Sequence, residues 1–201
     1  MNEAGTAGAP SSERVIARTR DWVERAVIGL NLCPFAKAVH VGGQIRYAVS
    51  AASDADALLA DLERELRLLA AAPPQQVETT LLVHPHVLAD FLDYNDFLDI
   101  ADGAVEALGY AGVFQVASFH PQYQFEGTAA DDVTNFSNRS PYPTLHLLRE
   151  DSVERAVRAF PEADSIYLRN VETLRRIGLA GWREIVANGA PDDGAQRPKS
   201  R

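Results

Sequence analysis

"TTLLVHPH" (Thr79–His86) and "VFQVASFHPQYQFEG" (Val113–Gly127) decide the fold. Each is an apolar, strand-like run that ends in His-Pro. Proline has no N–H to give a ladder, so it stops a strand. Between the two runs, Phe91, Tyr94, Leu98, Ala101, Val105 and Leu108 alternate spacings of three and four. That pattern lays one apolar stripe along a helix, which Gly109 ends. Strand, helix, strand in this order predicts a right-handed crossover between parallel strands.

The same grammar extends outward. Upstream, "QIRYAVS" (Gln44–Ser50) reads as a strand, and Asp54 caps a helix through "ALLADLERELRLLAA" that Pro73-Pro74 terminates. A first helix starts at Ser11 or Ser12. It carries Val15, Thr19, Trp22, Ala26 and Leu30 at helical spacing, and Gly29 and Pro34 bound it. Downstream, "PTLHLLRE" (Pro143–Glu150) reads as a fourth strand. Asp151 or Ser152 caps "VERAVRAF", and a last helix covers roughly 162–177. The expected fold is α/β (or α+β), a single domain with a mixed sheet of about four strands flanked by helices. Its first three strands run parallel, and the fourth is free to be antiparallel. The globular part spans 12–184, and the polar segments 1–11 and 185–201 read as disordered.

At 201 residues and 46% hydrophobic, one sizeable core is expected. A net charge of -9 argues against nucleic acid or an anionic membrane as partner. The lone Cys33 excludes an internal disulfide and a CxxC knuckle. No stretch approaches ~18 uninterrupted apolar residues, and the N-terminus has no basic start leading into an apolar run. A cytoplasmic protein is expected.

His84 and His120 leave their strands at the carboxyl edge of the sheet, where sites in open α/β sheets gather. On adjacent strands ~4.8 Å apart, the two imidazoles would share a ligand. With His146 from "TLHLL" they form a candidate set for one divalent Zn, Fe or Mn ion. The competing reading is that each histidine simply donates to a backbone carbonyl. In "GLNLCPFAK", Pro34 opens a short helix and Cys33 is its candidate N-cap, where the helix dipole and Lys37 favour a thiolate. A buried inert thiol is the alternative. The loop "YQFEGTAADDVTNFSNRSPYPTLH" separates two strands by over 20 residues, long enough to suggest a function. Its Tyr123, Glu126, Asn138, Arg139 and Ser140 are candidate substrate contacts. Arg139 either grips a carboxylate or phosphate or pairs with Asp131 or Asp132. Asp90, Asp93, Asp96, Asp99 and Asp102 spiral around the solvent side of their helix and read as solvated surface. There is no GxGxxG, P-loop, GxSxG, HExxH or EF-hand pattern.

Taken together, "GLNLCPFAK", "TTLLVHP", "DFLDYNDFLD", "QVASFHPQYQFEG", "DDVTNFSNRSPYPTLHLLRE" and "RNVETLRRIG" resemble the bacterial domain-of-unknown-function family fourteen-fifteen, over about Val15 to Trp182. The resemblance implies a single domain of bacterial type and supplies no reaction. Three functional readings follow from the residues. The first is an enzyme acting on a small anionic metabolite, with His120, His84 and Cys33 catalytic and a divalent metal as an optional cofactor. The second is metal-free chemistry with Cys33 as nucleophile and a histidine base. The third is a non-catalytic small-molecule-binding or assembly protein that uses the 122–143 loop.

Overall fold

Three side chains start three helices by accepting backbone N–H bonds, as their residue types dictate. Ser11 accepts from Arg14 (3.4 Å), Asp54 from Ala57 (2.8 Å), and Asp90 from Leu92 (2.8 Å) and Asp93 (3.3 Å). The computed structural model describes residues 10–159 and 165–187. Most of the two segments expected to be disordered lies outside those residues.

Helix α1 (Ser12–Trp22) widens into a π-helical turn at Val23–Ile28 and stops at Gly29. A Cβ on Gly29 would meet the Arg25 carbonyl, so only glycine fits that ending. The short α2 (Ala36–Val41) and strand β1 (Ile45–Val49) follow. Then come α3 (Ala55–Ala71), β2 (Thr79–Val83), α4 (Phe91–Ala107) and β3 (Phe114–Phe119). The long loop folds into a 3-10 turn at Val133–Asn138, stapled by Asn135 and Thr134, before β4 (Thr144–Arg149). Strand β4 runs straight into α5 (Glu150–Ala159), with no residues left over for the expected Asp151 or Ser152 cap. Helix α6 spans Ile166–Ala187. It continues past the expected domain end at 184. Among the described residues, no helix is long and apolar enough to cross a membrane.

The four strands form one mixed sheet in the order β1-β2-β4-β3, so the domain is α/β. Strands β1 and β2 pair in parallel, whereas β4 is antiparallel to both β2 and β3. The first three strands therefore point the same way, as expected. However, β2 and β3 are not neighbours, because β4 returns between them.

The two faces of the sheet are covered unequally. On one face, α3 and α4 bury Leu58, Leu62, Leu66, Tyr94 and Phe97 against Leu82, Leu145, Leu147 and Phe114. Glu65 lies in this layer with Arg46 Nε donating to it at 2.7 Å, which compensates the buried charge. Arg149 Nη2 lies within hydrogen-bond distance of the Leu69, Ala72 and Val77 carbonyls and so satisfies the open end of α3. On the other face, Trp22, Val23, Ala26 and Val27 pack with Leu174 and Trp182 of α6 against Leu81. That second layer covers only part of its face.

Leu174 and Trp182 can both reach this layer because α6 breaks between them, at Gly178. Gly178 sits at φ 61°, ψ -176°, a region open essentially to glycine alone. Gly178→Ala is expected to cost about 1–3 kcal/mol in a urea-unfolding measurement. A variant as stable as the parent would show that the break is not obligatory.

Candidate functional site

His84 and His120 end β2 and β3, and the segment leading into β4 passes between them. Their backbone N–H groups donate to Pro143 O (3.0 Å) and Asn138 O (3.2 Å). The gap between the two imidazoles is filled by Tyr94 of α4. Its ring stacks on His84 (centroids 5.7 Å apart) and on His120 (5.0 Å), and its hydroxyl donates to Thr144 O at 2.8 Å. Phe91 packs on His120 from the same helix, and Tyr123 of the long loop packs on Phe91.

The partners of each ring set its tautomer, since a carbonyl can only accept. His84 donates from Nδ1 to Val87 O (3.1 Å). His120 donates from Nε2 to Leu88 O (3.2 Å) and accepts at Nδ1 from the Gln122 N–H (3.0 Å). The two strand-end histidines thus hold consecutive carbonyls of one turn. That turn contains Leu88 at φ 56°, a left-handed conformation that a branched side chain rarely adopts. It delivers the chain to Asp90, the cap of α4. Both strand-end histidines thus make the backbone hydrogen bonds of the competing reading. Only Nε2 of His84 keeps a free lone pair, and it is fully buried with no partner among the described residues.

His146 lies elsewhere. It pairs with Leu81 and Ala117 in the ladder, one residue out of phase with Leu145 and Leu147, and so projects from the opposite face of the sheet. The expected three-histidine metal set is therefore not assembled. Among the described residues, no three His, Cys, Asp or Glu side chains are grouped where they could hold a metal ion. What His146 lines instead is a cavity of about 390 Å³ on the partly covered face. Its floor comes from all four strands, including Ile45, Leu81, Ala117 and Phe119, and its walls from the π-helical turn, α2 and α5. Cys33 is on the same lining.

Inside this cavity the Thr79 hydroxyl donates to Leu147 O (2.6 Å), so toward His146 it can only accept, from Nε2–H at 2.8 Å. That leaves the Nδ1 lone pair of His146 without a protein partner among the described residues. The ring is partly buried and lines the cavity. Burial pushes its pKa down to about 4, so it is a neutral acceptor near pH 7.

Cys33 is not the N-cap of α2. The helix begins at Ala36, and Phe35 stands at the cap position, where no side chain caps the helix. Asn31 turns the chain at φ 53°, and the Leu32 and Cys33 N–H groups both point back to Val27 O (2.9 and 3.5 Å). The segment is thus spent on closing the preceding π-helical turn.

The loop residues disperse. Arg139 pairs with neither Asp131 nor Asp132. Its Nε donates to Tyr123 O (3.0 Å), its Nη2 to Ala130 O, and its guanidinium stacks on Phe136 at 4.5 Å. Asn138 donates to Ser118 O (3.4 Å), Ser140 to Tyr142 O (2.6 Å), and Glu126 is exposed. Arg139 and Ser140 line a second cavity of about 180 Å³ with Arg18, Trp22, Arg25 and Trp182. Sequence reasoning passed over Arg18 and Arg25. Their spacing to Trp22, four before and three after, was the available signal that all three share a helix face.

Three histidines withdrawn from water are expected to make folding pH-dependent. Burial lowers the pKa of His84 and of His146 to about 4 and also lowers that of His120. The unfolded value is near 6.5, so below it the unfolded chain takes up protons that the folded chain refuses, and stability falls. No cost exists above that pH. Between about pH 6.5 and pH 5, each of His84 and His146 is expected to remove stability at up to roughly 1.4 kcal/mol per pH unit. Urea unfolding across this range reads the slope, and His146→Gln should flatten it. A parent protein equally stable throughout would refute the neutral, buried assignment.

No curated protein and no solved structure matches the chain. One family profile does match, over residues 14–184. That span contains every motif quoted above, both cavities except Val186, and the whole sheet. The chain belongs to the family described as "Protein of unknown function (DUF1415)".

Proposed function

We propose that the protein binds a small, chiefly apolar molecule on the partly covered face of its sheet, with His146 Nδ1 as the polar group that orients it. The supporting observation is the 390 Å³ cavity, apolar over most of its lining and holding a neutral histidine with a free acceptor. Ligand pockets typically run ~300–1,000 Å³ and combine apolar walls with a few fixed polar groups. The acceptor favours a ligand with a hydroxyl, amide or other N–H or O–H donor. A small-molecule partner also suits the net charge of -9 better than nucleic acid does. A bacterial, cytoplasmic setting, with a single unpaired cysteine, goes with this reading.

A second reading follows from Cys33 sharing the cavity with His146. A thiol and a neutral imidazole around one ligand are the components of nucleophilic catalysis. Protection of Cys33 from alkylation by a bound ligand would support it. A thiol that never reacts would remove it without touching the binding reading.

Ala117 stands on the cavity floor beside His146, so a large side chain there fills the space. Ala117→Phe is expected to weaken binding of an apolar fluorescent probe at least tenfold while the fold survives, as checked by circular dichroism. Unchanged probe binding by the filled variant would show that the cavity is not the site.

A further inference from the structure

The 180 Å³ cavity carries charge of a kind that the large one lacks. Arg18, Arg25 and Arg139 line it, with Asp21 as the one carboxylate on the lining. No carboxylate among the described residues forms an ion pair with any of the three arginines. Arg139 is the most constrained. Two backbone carbonyls and the Phe136 ring fix its plane, and Nη1 has no protein acceptor among the described residues. A guanidinium held this way, partly withdrawn from water, is a pre-oriented fork for an oxyanion.

A second need meets it at the same place. Trp22 is only 4% exposed and lines this cavity as well as the large one, and its Nε1–H has no acceptor among the described residues. Leaving a buried donor unpaired is costly. An oxygen-bearing anion supplies acceptors for the free guanidinium edge and for the unpaired indole N–H of a residue on the same lining. The volume suffices for it, since 180 Å³ equals about six waters at ~30 Å³ each.

We propose that this cavity is an oxyanion site, for a phosphate or carboxylate group, built by Arg139, Arg18 and Arg25 with the indole of Trp22. The site is separate from the apolar cavity and stands whether or not that cavity binds a ligand. Asp21 limits it to a net excess of two positive charges, enough for one such group.

The chain contains two tryptophans, Trp22 and Trp182, and both line this cavity. Intrinsic fluorescence of the full chain therefore reports on it directly. Titration with inorganic phosphate in one arm and acetate in the other, each at ionic strength matched with sodium chloride, is expected to give a saturable change in at least one arm. The stronger arm identifies the anion class. Arg25→Gln alters an exposed side chain and should weaken that binding about tenfold, as should Arg139→Lys, which keeps the charge but loses the planar fork. Should Arg139→Lys fail to fold by circular dichroism, Arg25→Gln alone decides. No saturable change with either anion up to roughly 50 mM, well above the millimolar range of weak binding, would overturn the proposal. So would a chloride titration that matches both arms, or an affinity unmoved in Arg25→Gln.

Discussion

Strand β4 lies antiparallel between two strands that are parallel to each other, and the rest of the molecule follows from that insertion. It separates β2 from β3 by two strand spacings of about 4.8 Å each. The histidines that end those strands therefore cannot meet directly. The space between them is closed by Tyr94, whose hydroxyl bonds the first residue of β4. The imidazoles then bond the turn that feeds α4, and α4 supplies Tyr94. The arrangement is mutually supporting, and burial keeps both imidazoles neutral even though Asp90 stands near His120.

The same sheet explains why binding chemistry concentrates on the other face. Helices α3 and α4 pack along one face and bury most of its apolar side chains. Opposite them, α1 gives way to a π-helical turn and α6 breaks at Gly178. What they leave is a trough floored by every strand. Trp22, at the junction of α1 and the π-helical turn, forms a wall of both cavities. The large cavity is apolar with one free acceptor. The small one is cationic. Their chemical needs differ, so they suit different ligands.

Much of this was open to a reader of the sequence. Apolar spacing of two or of three and four marks an element through local geometry alone. Ser11 and Asp54 declare helix starts because their oxygens suit orphan N–H groups, and Pro73, Pro85 and Pro121 declare stops, whereas Asp90, read as solvated surface, turned out to cap α4. The direction of the first three strands followed from crossover handedness. The gathering of Cys33, His84, His120 and Arg139 into one pocket did not follow, and the structure spreads them over separate environments.

The sequence by itself determined the element types, their order and the α/β class, because those depend on contacts a few residues long. Only the tertiary structure decided strand order, the side of the sheet on which each histidine stands, and the company Cys33 and Arg139 keep. A strand alternates faces with every residue, so a one-residue difference in register sends His146 to one layer and Leu145 and Leu147 to the other. No local pattern states which helix then covers that face, nor how completely.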